Sequence, residues 1–243
     1  MALAQRMVGG IALSLLASSA LAQIVNINAL TTTPVTLSLD AGAYRVLPIN
    51  SAGGGLYDAW LAWDVVNCSD PQGCAATAPT TVMGWINRYA ITSSEIAAAS
   101  AGGLPLAPVS SAPTLPASPY SHFLVSGSTR RVVVWDGYVY PTSGPAFAAA
   151  DVATFTLASA SSVVFSHLDP LVTDNEGGMS LRVERLPACP GDADFNGVVN
   201  FTDLTILLEA WGTDEAAADF NGDGLVNFAD LNSLLDAWGQ VCG

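Results

Sequence analysis

The sequence contains no lysine. Schiff-base chemistry and the phosphate clamp of a P-loop are therefore excluded. Bases are scarce altogether: seven arginines face 21 acids, for a formal net charge of −14. That balance argues against a nucleic-acid partner, whose phosphates require clustered Lys and Arg. Charged residues of either sign make up only 12% and hydrophobic ones 51%, too apolar for disorder and ample for a core. There are two histidines, His122 and His167; His167 falls on a predicted strand and reads as structural. No G-x-S-x-G or H-E-x-x-H motif is present, and no cysteine is free for a His-assisted nucleophile. Past the first twenty residues, no apolar stretch reaches the roughly 18 residues of a membrane span.

The chain opens with Arg6, an apolar stretch of 11 residues from Met7 to Ala17, and Ala20-Leu21-Ala22. These are the three parts of a secretory signal over residues 1–22. The expectation is a secreted, extracellular or cell-surface protein starting at Gln23. Six arginines against 21 acids would leave it at −15. In that setting Cys68 and Cys74, separated by Asp-Pro and Gln-Gly turn signals, are expected to staple a local loop. A metal pair would need two further Cys or His ligands.

Composition shifts near Cys189. Residues 23–187 hold 11 acids and six arginines; residues 188–243 hold ten acids and no base. The boundary is expected at Leu186-Pro187-Ala188. Upstream of it, short runs rich in Val, Ile, Thr and aromatics predict strands: Ile24–Ala29, Val35–Leu39, Tyr44–Ile49, Val82–Ile91, Phe123–Ser126, Arg131–Tyr138, Thr154–Leu157, Val163–His167 and Met179–Val183. Gly, Pro, Ser and Asn separate them. Many short strands at this spacing predict an antiparallel β-sandwich or jelly roll over 23–187. The Ala/Ser/Pro/Gly-rich Ala97–Pro119 reads as a long surface insertion with little structure of its own.

The C-terminal part repeats itself. Asp192–Gly212 aligns with Asp219–Gly239 at a spacing of 27, with 12 of 21 positions identical. Each copy opens with a 12-residue loop whose alternate positions carry oxygen: Asp192, Asp194, Asn196, Val198 (by its carbonyl), Asn200 and Asp203 in the first. Asp219, Asn221, Asp223, Leu225 (by its carbonyl), Asn227 and Asp230 stand in the second. Gly197 and Gly224 sit at the sixth position, where the turn is sharp. Calcium takes six to eight oxygens, and this spacing supplies them, so two calcium ions are expected. A helix follows each loop. Leu204, Leu207, Leu208 and Trp211, and again Leu231, Leu234, Leu235 and Trp238, lie at i, i+3, i+4, i+7. The two stripes are expected to pack together with the tryptophans inside. Cys189 and Cys242, just outside the repeat, are expected to pair and close the module.

This pair of loop–helix units resembles a type I dockerin, a duplicated relative of the EF-hand, over about Gly191 to Gly239. The resemblance implies an all-α module at 188–243 that needs two calcium ions to fold. It also implies docking onto a cohesin-like or other surface receptor protein. In that family loop positions 10 and 11 and two later helix positions contact the partner. Here these are Phe201-Thr202 and Phe228-Ala229, then Leu208-Glu209 and Leu235-Asp236, with no base.

The strand-rich part is less specific. Asp169, Thr173, Asp174 and Asn175 resemble the calcium loop of a jelly-roll galactose-binding lectin, which implies a third calcium site. The pattern Tyr57-Asp58-Ala59-Trp60, Gly84-Trp85 and Asp174-Asn175-x-Gly177-Gly178 resembles exported bacterial β-sandwich proteins. Trp60, Trp63, Trp85 and Trp135, with Tyr57 and Tyr89, are either core or a stacking platform for a carbohydrate ring, and core is the better reading. A glycosidase would need two carboxylates across a cleft, for which Asp58, Asp64, Glu95, Asp136 and Asp151 stand as candidates. The expectation is a secreted, calcium-binding, non-catalytic protein that displays a β-sandwich through a dockerin-like module. A polysaccharide-degrading O-glycosyl hydrolase and a lectin-like carbohydrate binder, attached in the same way, are the alternatives.

Overall fold

The computed structural model describes residues 22–62, 84–112, 120–187 and 189–242. The signal expectation at residues 1–21, the Cys68–Cys74 staple, Trp63 and Asp64 lie outside them.

Fourteen strands run through the described part upstream of Cys189. They are β1 Gln23–Asn28, β2 Val35–Leu39, β3 Gly42–Ile49, β4 Trp60–Leu61, β5 Trp85–Ile86, β6 Tyr89–Ser93 and β7 Ile96–Ala101. After them come β8 Leu104–Pro105, β9 Pro108–Val109, β10 His122–Ser126, β11 Thr129–Val134, β12 Ala153–Leu157, β13 Ser161–Ser166 and β14 Glu176–Arg185. A short helix, α1 Ser143–Ala148, precedes β12. One sheet runs β5-β4-β14-β3-β12-β7-β8 with β1 also paired to β14; the other runs β2-β13-β6-β11-β10-β9. All pairs are antiparallel except β9 with β10.

Among the eight strands β1, β2, β3, β6, β11, β12, β13 and β14, the first, last, third and sixth stand side by side in one sheet. The second, seventh, fourth and fifth stand in the other. That order is the double Greek key of a jelly roll. The alternation that predicted the strands packs it: Val25, Tyr44, Val46, Phe155, Leu181 and Val183 from one sheet meet Ile91, Phe123, Val132, Val163 and Phe165 from the other in one cluster. Tyr44 and Phe155, opposite each other on β3 and β12, stack at 5.3 Å.

Two expectations need correction. Val82–Ile91 is not one strand among its described residues, because Asn87-Arg88 breaks it into β5 and β6; Asn87 turns its amide onto the Ala146 carbonyl of α1. Ala97–Pro119 is not a bare insertion: its start, β7, pairs with β12 through five residues. The Ala and Ser residues of β7 carry little strand propensity, but small side chains at Ala99 and Ala101 are what the sheet accommodates there.

After β14 come two nine-residue helices, α2 Phe201–Glu209 and α3 Phe228–Asp236. They have a separate core of Val199, Leu207, Ala210, Ala218, Val226, Leu234 and Ala237. No helix among the described residues is long and apolar enough to cross a membrane.

Candidate metal centre

The two loops build the same hydrogen-bond scaffold. Asn200 and Asn227 are the N-caps of α2 and α3, accepting from Thr202 N at 2.8 Å and Ala229 N at 2.7 Å. Three residues on, Asp203 and Asp230 return a carboxylate oxygen to the cap backbone N–H at 2.8 and 2.9 Å, completing a capping box. Their other oxygens accept from Asp194 N at 3.0 Å and Asn221 N at 3.2 Å, across the loop. Gly197 and Gly224 hold φ of +84° and +87°, the left-handed region open to glycine at low cost. Their N–H groups donate to Asp192 and Asp219. The loops also meet each other's helix ends: Val199 N donates to Gln240 O, and Gly212 N to Val226 O.

In the first loop the carboxylates of Asp192, Asp194 and Asp203 each bring an oxygen to within 4.8 Å of the other two. Asp192 and Asp203 are buried, and no arginine forms an ion pair with them among the described residues. Burial pushes the Asp192 carboxyl above its usual range, and the charges of Asp203 and Asp194 add to this against the Gly197 and Asn196 backbone donors. Converging, buried and uncompensated anions fit one hard divalent cation, whose ligand oxygens lie roughly 2.3–2.6 Å from the metal. Below this loop Cys189 and Cys242 form a disulfide with Cα atoms 5.9 Å apart. It tethers the loop at its start and at its turn, because Cys189 O accepts from Asp192 N and Cys242 N donates to Gly197 O.

The helices correct the expected stripe. Leu207 and Leu234 are in the core and Leu204 and Leu231 at its edge, but Leu208 and Leu235 are exposed. Trp211 and Trp238, each 39% exposed, are not core residues. A helix of nine residues crosses its neighbour along one narrow line, and i+4 from Leu204 already turns off it. Each tryptophan instead supports a phenylalanine of the other repeat. Phe201 stands edge-on to Trp238 and Phe228 to Trp211, with centroids 5.0 Å apart in both pairs. Phe201 and Phe228 remain 75% and 71% exposed. The partner-facing residues of the resemblance thus form two matched apolar knobs, with Thr202 and Ala229 exposed beside them.

Residues 190–236 match the family model of the dockerin type I domain. The segment is a calcium-binding, protein-docking module of the class that binds cohesins. No curated protein and no solved structure gives a match to the chain.

Elsewhere the predicted residues are more dispersed. Asp169, Thr173, Asp174 and Asn175 lie on the segment entering β14. Asp169 Oδ1 accepts from Leu171 N, and its charge acts on the Arg88 guanidinium. Asn175 is buried with its amide on Ala29 O; its Oδ1 and Asp174 Oδ1 have no hydrogen-bond partner. Trp60, Tyr89 and Trp135 are inside the sandwich, and Arg88 lies 5.5 Å from the ring centroids of both tryptophans. The core reading therefore holds for these three. Of the acids, burial raises the Asp151 carboxyl and the Asp136 charge adds to it. Tyr140 holds Asp136 by a 2.6 Å hydrogen bond.

Sequence reasoning missed Arg45, Arg182 and Glu184, which join the two parts of the chain. Arg45 and Arg182 each stand between apolar neighbours and Glu184 follows Val183, on strands where alternate residues point to opposite faces, so they read as solvated outer-face charges.

Proposed function

We propose that this is an exported, non-catalytic display protein, with the jelly roll of residues 23–187 presented to a receptor by the dockerin module of residues 188–243. Two calcium ions hold the module's loops. The first is bound by Asp192, Asp194, Asn196, Asn200, Asp203 and the Val198 carbonyl. Asp219, Asn221, Asp223, Asn227, Asp230 and the Leu225 carbonyl take the second. Two separate hydrophobic clusters, one on each side of the boundary, support the division. The observation that carries the docking reading is the pair of exposed phenylalanines, each braced on a tryptophan of the opposite repeat. Rigid, exposed aromatics are good interface anchors. The lack of any base on this face favours a partner with an apolar patch over an acidic one.

The two knobs sit at equivalent positions of a repeat, so a single anchor pocket could accept either. In surface plasmon resonance against immobilised cohesin domains in calcium, Phe201→Ala or Phe228→Ala alone should weaken binding only a few-fold. The double variant should lose it while keeping its calcium-dependent helix signal. Full binding by the double variant, or no cohesin bound by the wild-type chain, overturns this reading.

A further inference from the structure

The outer face of the β14-β3-β12-β7 sheet carries one polar row in register: Glu184 opposite Arg45, Arg45 opposite Thr154, Thr154 opposite Ser100. The second loop of the dockerin module lies over it, with Asp219 and Asn221 sharing with Thr154 and Ser100 the lining of a cleft of about 360 Å³. Arg45 is 2% exposed. It donates from Nε and Nη2 to Glu184 Oε2 at 3.2 and 3.0 Å. Nη2 also donates to Asp214 O at 2.7 Å, and Nη1 pairs with Asp219 Oδ2. Nearby, Arg182 Nη2 donates to Asp214 Oδ2 at 2.5 Å, and Arg185 lies 6.0 Å from the Phe195 ring centroid. Half of the six arginines after residue 22 therefore meet a module of ten acids and no base. This is a built acceptor surface, and its occupant is the chain's own C-terminal module.

Asp219 is also the first residue of the second calcium loop. Its Oδ1 accepts from Gly222 N and Asp223 N; its Oδ2 accepts from Gly224 N and from Arg45. A carboxylate offers about four lone-pair sites, and all are taken. Among the described residues, the carboxylates of Asp219, Asp223 and Asp230 form no cluster like that of the first loop. The arginine is one difference between two loops that share most of their hydrogen-bond scaffold; the exchange of Asp194 and Asn196 for Asn221 and Asp223 at the third and fifth positions is another.

We propose that Arg45 and calcium compete for Asp219, so that calcium binding at the second loop and docking of the module on the jelly roll oppose each other. The inference rests on reading the two loops as calcium sites. Site affinity follows ligand charge, and a guanidinium on one of three carboxylates lowers it. Coupling is reciprocal: docking weakens the second site, and calcium there loosens the module from the sheet. The first loop, with no arginine on its carboxylates, stays the tight site in both arrangements.

Calcium titration calorimetry of the full chain tests this. Asp203→Ala and Asp230→Ala assign the two sites by removing one ion each. On the Asp203→Ala background, Arg45→Gln should tighten the remaining site by about tenfold or more. Asp214→Asn, which weakens docking from an exposed position and leaves Arg45 and the ligands in place, should tighten it several-fold. With stoichiometry intact, an unchanged or weaker second site in Asp214→Asn and in a folded Arg45→Gln overturns the coupling alone. If neither assigning substitution removes an ion, the calcium reading falls and the coupling with it.

Discussion

Asp203 does three things from one buried carboxylate. It closes the capping box of α2, it ties Asp194 N across the loop, and it contributes to the only cluster of three carboxylates among the described residues. Asp203→Ala should abolish tight calcium binding at the first loop, which calorimetry checks. Glycine at 178 acts by close approach. A Cβ there would lie 2.1 Å from the Ile27 carbonyl oxygen and 2.8 Å from the Tyr57 ring, and Gly178 faces Asn28 where β1 pairs with β14. Gly178→Ala should therefore destabilise the jelly roll by about 2–3 kcal/mol, read as a lower melting temperature with the dockerin calcium affinities unchanged. The Asn-x-Gly-Gly pattern owes its second glycine to this crossing of strands. Its first glycine has a φ of +77°.

At the scale of elements, α2 and α3 are too short to be stable by themselves, since isolated helices below about 12–15 residues are marginal in water. Their shared core is small, and ten acids without a base repel one another as long as no cation sits among them. Circular dichroism of residues 188–243 should show helix in calcium and largely lose it in chelator. A helical signal indifferent to chelator would refute the calcium requirement. The repeat's pattern made both helices and both loops legible beforehand. It misplaced Leu208, Leu235 and the tryptophans because apolar periodicity marks a face without saying how wide a strip the neighbouring helix covers. In the jelly roll, propensity located most strands but missed β7, whose alanines and serines become strand by pairing with β12.

Across the whole molecule, charge is segregated and then brought together. The acidic module lies on the sheet that carries Arg45, Arg182 and Arg185, and the burial of Glu184 raises its carboxyl against the lowering influence of Arg45 and Arg182. Arg182 Nε also lies 2.7 Å from Glu184 Oε1, so this is a network of charges in place of an isolated pair. The Cys189–Cys242 bridge spans 53 positions and should contribute about 4 kcal/mol to the module by restricting its unfolded chain. The double substitution Cys189→Ser, Cys242→Ser should lower the module's melting transition and leave the jelly-roll transition nearly in place, which differential scanning calorimetry of the full chain resolves. It should also weaken the first calcium site more than the second, because the bridge backs only the first loop.

By itself the sequence determined what is local. Loop ligands at alternate positions, caps three residues from their partners and the alternation of strands all follow from spacings of two to four residues along one backbone. The partners of Arg45 are 139 and 174 positions away, and nothing in its strand distinguishes it from any outward-facing charge. The supports of Phe201 and Phe228, the asymmetry between two near-identical loops and the jelly-roll strand order are of the same kind. Each depends on which distant surfaces meet, and at Arg45 the cost of burying a charge makes its pairing obligatory.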